Sequence, residues 1–336
     1  MGYCHCSFRA SSVKEKRLKK TIRTAVVGVG YLGKFHAEKY AAMDNIELVG
    51  VVDVHPARAD EIASHVGAKA FYDYRDLFGL VDAVSIAVPT PLHFELGKAF
   101  LGQGVDVLME KPITVTTEEA DILIDIAEKK GLILQVGHLE RFNPAVRAVK
   151  QLVNHPVFIE SSRMSLYKER GTDVSVVLDL MIHDIDIISH FVHSGIKYCH
   201  AMGASVVSDT VDIANAHIEF DNGTVAKVTA SRIANKNERK IRLFQKDGYI
   251  SLDFAGRSIV HVRPGCGENN CSIPGMHMEE QRFAEGDALA EEIKSFVHAV
   301  NTRENPEVSG PMGRDALKIA LCITQQIRES RNRIQE

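Results

Sequence analysis

The chain has 336 residues, 40 Lys and Arg against 44 Asp and Glu, and a formal net charge of −4. That near-balance excludes nucleic acid or an anionic membrane surface as the expected partner, and no apolar run is long enough to span a bilayer. The length favours two domains over one core, and six scattered cysteines form no disulfide framework, so a reduced, cytoplasmic protein is expected.

Residues 1–20 contain no apolar segment of the secretory kind. They read as a mobile tail or an over-extended start, basic from Lys14 to Lys20. Cys4-His5-Cys6 offers metal-ligand types within that tail. Cys266 and Cys271, with His261 and His277 nearby, lack the C-x-x-C spacing of a structural zinc site, so a surface loop and no metal are expected.

From 21 to 140 strands and helices alternate, which predicts a parallel, doubly wound sheet. The first strand, 22–28, runs into Gly28, Gly30 and Gly33 with Tyr31 and Leu32 between them, and a helix follows over 31–42. Gly28 allows the sharp turn, Gly30 lets a pyrophosphate approach the backbone, and Gly33 allows close helix–strand packing. The helix N-terminus offers free N–H groups to phosphate. A second strand, 46–53, ends at Asp53, where a carboxylate can bind the adenosine ribose and repel a 2′-phosphate, so NAD is expected over NADP. Arg58 follows closely enough to weaken that preference.

Further strands are predicted at 82–88, 105–109 and 132–136, and helices at 56–66, 91–102 and 116–130, the last opening on a T-T-E-E capping signature. Ligands of such sheets bind outside the carboxyl ends of the strands. Those ends carry Gly28, Asp53, Val88-Pro89-Thr90, Glu110-Lys111 and Gly137-His138.

From 141 to 336 the pattern changes to extended runs at 157–165, 200–207, 211–220, 223–232, 239–246, 249–254 and 257–262, with turns at Asp221-Asn222-Gly223 and Asp247-Gly248. An α+β substrate and oligomerisation domain with an open antiparallel sheet is expected, its helices at 173–192, 280–301 and 313–332. The first of these helices reads V-L-D-L-M-I-H-D-I-D-I-I-S-H-F. Asp179 and His183 share a face, Asp186 and His190 extend it, and Met181, Ile185, Ile188 and Val192 form an apolar stripe. Such a polar stripe fits either a catalytic face or core polar groups that satisfy one another. Lys111, Asp179 and His183 together supply what alcohol oxidation needs, a base for the hydroxyl proton and a positive group for the developing alkoxide.

The chain resembles the glucose–fructose oxidoreductase/inositol dehydrogenase family. The resemblance spans nearly all of 22–332 and rests on G-V-G-Y-L-G-K-F-H, A-V-P-T-P-L-H, E-K-P at Glu110–Pro112 and D-L-M-I-H-D-I-D at Asp179–Asp186. It implies catalytic roles for Lys111 and His183 and substrate-hydroxyl contacts from Asp179. It also implies NAD contacts from Thr90, His93 and Glu110, a cis bond before Pro112, and a homodimer or homotetramer built through the open sheet. One departure is G-T-D-V-S-V-V ahead of the catalytic helix, where many members have a glycine pair.

Within the family, Q-V-G-H-L-E-R-F-N-P-A-V at Gln135–Val146 is similar to enzymes that oxidise the 3-hydroxyl of UDP-N-acetylglucosamine, or of its uronic acid, ahead of an aminotransferase. The segment Gly171–Val174 resembles the branch found near lipid A genes. Arg141 can pair with phosphate oxygens and Asn143 can hydrogen-bond an amide or hydroxyl; equally, both could pin the crossing between domains. Two other functions stay open: a dehydrogenase of a free polyol such as an inositol, and a nucleotide-sensing protein without chemistry.

Overall fold

The computed structural model describes residues 21–168, 174–265 and 272–335. The expected tail, with Cys4 and Cys6, lies outside the described residues, as do Gly171 to Asp173 and the cysteines Cys266 and Cys271.

The first sheet is parallel and six-stranded: β1 (Ile22–Val27), β2 (Ile46–Val52), β3 (Lys69–Phe71), β4 (Ala83–Ile86), β5 (Asp106–Glu110) and β6 (Leu134–Gly137), ordered β3-β2-β1-β4-β5-β6. β3 escapes sequence reading because three residues are too short to show a period. The helices α1 (Gly33–Ala41), α2 (Pro56–Val66), α3 (His93–Gly102) and α4 (Thr117–Lys130) cover the two faces. Their ends follow local chemistry. α2 starts on Pro56 and stops at Gly67 with φ 69°. α4 starts on a capping box, in which the Thr116 hydroxyl accepts from Glu119 N–H and the Glu119 carboxylate accepts from Thr116 N–H.

The second half adds α5 (Pro144–Val149), β7 (Phe158–Leu166), α6 (Ile182–Val192) and β8 (Ile196–Ala204). There follow β9 (Ile213–Phe220), β10 (Val225–Ala234), β11 (Glu238–Gln245), β12 (Gly248–Asp253), β13 (Ser258–Pro264) and β14 (Met276–Arg282), then α7 (Ala288–Thr302) and α8 (Gly310–Gln335). The eight-stranded sheet is ordered β14-β13-β12-β11-β7-β10-β9-β8. It is antiparallel except for one central pair, β7 and β10, which run parallel. The expected antiparallel sheet is thus present with one parallel pair: β7 is separated from β10 by a helix and a long excursion, a connection that permits parallel pairing.

Two more boundaries differ. Residues 276–282 form an edge strand on β13, where the start of a helix was expected. The sequence M-H-M-E-E-Q-R carries little strand propensity, and the partner's exposed backbone decides the matter. The helix expected from 173 opens instead as a π-turn, Val177–Met181, before α6. Such turns recur at functional sites.

α6 and α8 cover one face of the large sheet and close a core that includes Met181, Ile185, Ile218, Val228, Leu243 and Ile323. α7, expected with the second domain, instead packs Ile293, Phe296 and Val300 with Val26, Tyr40 and Leu108 of the first sheet's layer. Hydrophobic periodicity marks α7 as amphipathic but cannot say which layer receives its apolar face.

Candidate active site

The glycine turn has the shape its spacing implies. Gly28 has φ 84°, and a Cβ there would stand 2.9 Å from the Ala87 carbonyl oxygen. A Cβ on Gly33 would stand 1.8 Å from the Gly28 carbonyl oxygen. Gly30, between them, faces open space. The crowding therefore enforces glycine at both ends of the turn and leaves its middle clear for a phosphate group. Tyr31 and Leu32 are exposed beside it. Asp53 is nearly buried: Oδ1 accepts His55 N–H at 2.9 Å, Oδ2 accepts Val29 N–H at 3.2 Å, and Arg58 Nη1 lies 3.4 Å from Oδ2. The carboxylate thus ties the end of β2 to the glycine turn. These residues fit a dinucleotide, which when bound supplies a hydride acceptor.

Beyond β4, Pro89 is exposed and Thr90 half-buried on the cleft rim. His93 is buried, with Nδ1 2.9 Å from the Pro112 carbonyl oxygen and Nε2 2.8 Å from that of Val88. Burial holds its pKa below the ordinary histidine value. Its ring joins the end of β4 to the segment after Lys111 and so frames the cleft where the sequence expects a cofactor contact. The Lys111–Pro112 bond is cis, as the resemblance implies.

Lys111 follows β5 and reaches across to the π-turn. Its Nζ donates to the Asp179 carbonyl oxygen at 2.8 Å and to Asp179 Oδ1 at 3.4 Å. The ammonium is largely shielded while Asp179 is 42% exposed, so the pair presents its carboxylate edge to the cleft. His183 lies half-buried one turn on, and its Nδ1 has no partner. Burial, with the neighbouring Lys111 and Arg163 cations, pushes its pKa well below the usual histidine value. The imidazole is therefore held in its neutral form near pH 7. Lys111, Asp179 and His183 are brought together from two elements far apart in sequence.

Asp186 and His190 do not continue this site. The Arg141 guanidinium spends two donors on Asp186, Nε to Oδ2 at 2.6 Å and Nη2 to Oδ1 at 2.9 Å, with both residues buried. Asn143 caps α5, its Oδ1 accepting Ala145 N–H at 3.0 Å and its Nδ2 donating to the Phe254 carbonyl at 3.3 Å. These bonds give Arg141 and Asn143 the pinning role between the two halves that the sequence offered as one of two readings, while Arg141 Nη1 keeps no partner. The cause is tertiary: α6 brings Asp186 to the guanidinium. A parallel fork joins Arg163 to Asp184, both bonds at 2.9 Å, with Glu140 Oε1 at 2.9 Å.

Three further side chains bear on the chemistry of the site. His138 is buried with neither ring nitrogen partnered, and burial lowers its pKa. Arg239 is exposed on β11, 4.0 Å from Glu140, and its charge reaches His183. Glu110 turns behind the sheet: Oε1 lies 3.1 Å from His36 Nε2, and Oε2 accepts Lys111 N–H at 3.2 Å. Burial raises the Glu110 pKa, but His36 and Lys111 outweigh it and hold the group below its ordinary value. The sequence places His138 at a strand end of the cleft and Glu110 in the E-K-P motif as a cofactor contact, whereas Arg239 lies in none of the motifs.

A glycine cradle on a parallel sheet, with a lysine at the end of that sheet joined to an aspartate and a histidine from the π-turn and helix of the second half, defines an NAD-binding oxidoreductase acting on an alcohol. Residues 22–138 match the oxidoreductase family with an NAD-binding Rossmann fold, and 146–251 match the GFO/IDH/MocA C-terminal domain. The chain belongs to the Gfo/Idh/MocA oxidoreductase family.

It is 39% identical over 303 residues to UDP-N-acetylglucosamine 3-dehydrogenase of Acidithiobacillus ferrooxidans, covering 90% of this chain and 96% of that one. A solved structure of that enzyme superposes with a TM-score of 0.88 at 38% identity, covering 91% of this chain and 97% of that one. Myo-inositol 2-dehydrogenase of Thermotoga maritima is 27% identical, over 93% of this chain and 98% of that one.

Proposed function

We propose that this protein oxidises the 3-hydroxyl of UDP-N-acetylglucosamine to a ketone with NAD. The observation that carries this reading is the 39% identity to a UDP-N-acetylglucosamine 3-dehydrogenase along 96% of that enzyme, together with the Lys111–Asp179–His183 cluster. In this reading the Asp179 carboxylate orients the sugar hydroxyls. Neutral His183 accepts the 3-hydroxyl proton, and the Lys111 ammonium stabilises negative charge on that oxygen. Arg239, an exposed cation on the cleft side, is the candidate diphosphate ligand in place of Arg141.

Gly28, Gly30, Tyr31, Leu32, Gly33, Asp53, Pro89 and Thr90 form the cofactor surface. Asp53 favours NAD over NADP. The ketone is consumed by a pathway aminotransferase, in lipid A or surface-polysaccharide synthesis in the cytoplasm. The protein acts as a homodimer or homotetramer joined through the large sheet.

The test is a panel of UDP-sugars and inositols with NAD and a coupled aminotransferase, read by mass spectrometry. The expected product is UDP-N-acetylglucosamine less two hydrogens, trapped as its amine. Turnover of an inositol but of no UDP-sugar overturns the assignment.

A further inference from the structure

Behind the catalytic lysine lies a buried polar cluster that the reaction as described does not use. His36 of α1, Glu110 of β5 and Glu292 of α7 are each essentially inaccessible or nearly so, and their ligand-type atoms all lie within 4.8 Å of one another. Glu292 is 0% exposed, and neither carboxylate oxygen has a partner. The Gln135 side chain of β6 donates to the Glu292 backbone carbonyl at 3.1 Å, which fixes the helix turn against the sheet. Gly137 leaves room for Glu110, because a Cβ there would come within 3.2 Å of Oε1.

Two carboxylates this close and this dry cannot both stay ionised. Glu110 has the stronger claim to the charge, since it faces His36 and accepts the Lys111 N–H. We propose that Glu292 is a positioning residue for the reaction: it stands as the neutral acid, shares its proton with Glu110, and so fixes the carboxylate that holds the Lys111 backbone. The titratable groups facing Glu292 are His36 and Tyr40 from α1 and Glu110 from β5, with Gln135 of β6 on its backbone carbonyl. The nearest fixed cation along the chain of contacts is Lys111, on the far side of Glu110. Burial and the Glu110 charge raise the Glu292 pKa well above its ordinary value, in agreement with that geometry.

The sign of the pH effect follows. A carboxyl whose folded pKa is raised imposes no penalty below its unfolded value and destabilises the fold as pH rises above it. The experiment compares wild type, Glu292→Gln and Glu292→Leu. The expected melting temperature of Glu292→Gln gains on wild type as pH rises above the unfolded carboxyl value of about 4.3, because the amide is a donor that never ionises. Glu292→Gln keeps turnover within about threefold, whereas Glu292→Leu, which removes the donor, loses kcat by about tenfold or more with little change in sugar KM.

A melting difference that is constant with pH, or turnover lost equally in both variants, overturns the proposal. So does a stoichiometric metal ion that co-purifies with wild type and is absent from Glu292→Gln, since a cation would then hold the carboxylates. The turnover arm rests on the proposed substrate. The melting and metal arms do not, so a wrong substrate and a wrong role for Glu292 give different results, and if the leucine variant fails to fold the glutamine profile decides.

Discussion

At the scale of single residues, the site separates groups that face the reaction from groups that aim them. Lys111 and His183 should each be indispensable. Lys111→Ala and His183→Ala are expected to bind NADH as wild type does, by fluorescence titration, and to lose about 10²- to 10⁴-fold in kcat, the range for a positioned acid–base group. Full activity in both would refute their roles. The protonation state of His183 gives a second expectation. Its pKa is driven well below the usual value by burial and by Lys111, so kcat should show no acidic limb near the ordinary histidine value of about 6.5. A histidine kept neutral in the fold but protonated when unfolded withdraws stability as pH falls through its unfolded value. His93 and His138 act in the same direction. The melting temperature should therefore be lower at pH 5 than at pH 7.5, and equal values would contradict these buried, neutral rings.

At the scale of elements, the connection between the two sheets is ionic and buried. Arg141 lies in the turn after β6 and Asp186 on α6, and the fork between them is shielded from water. Removing one partner strands a charge, at a cost of about 3–5 kcal/mol, whereas replacing both with apolar residues of similar volume is close to neutral. Arg141→Met should therefore lower the denaturation midpoint sharply, and Arg141→Met with Asp186→Leu should recover most of the loss. If Arg141 instead served the diphosphate, the single variant would raise KM and leave the midpoint alone. The glycine turn is governed by a steric limit. Gly33→Ala would place a methyl 1.8 Å from a backbone oxygen, so that variant should lose NADH binding or fail to fold.

At the scale of the whole molecule, the large sheet uses only one face for its own core. The opposite face carries Asn215, His217, Lys227 and Arg242 in exposed positions. It also carries a stack of Phe158, Phe244 and Tyr249 with ring centroids 5.9 and 5.7 Å apart. An aromatic patch rimmed by charge is the usual composition of a subunit contact. Light scattering at micromolar protein should give a dimer or tetramer, and Phe158→Glu should shift it toward monomer. A wild-type monomer throughout that range would reject this face as the contact.

The sequence by itself determined the parts whose cause is local. The glycine turn, Asp53 at a strand end, the Thr116–Glu119 cap and the alternation of strand and helix each follow from neighbours a few residues apart, so their spacing carried them. Lys111, Asp179 and His183 were legible as residue types in motifs, and the fold joined them by setting the end of β5 against the π-turn. The remainder had to wait for tertiary structure because its cause is distant. Nothing near Arg141 announces Asp186, 45 residues on. Nothing in M-H-M-E-E-Q-R announces the strand that the edge of β13 induces. Nothing in α7 says that Glu292 will be buried beside Glu110, because burial depends on which layer receives the helix and periodicity is the same for either. Local pattern decides what an element is, whereas partnership between charges is decided by which elements meet, and that is a property of the packed whole.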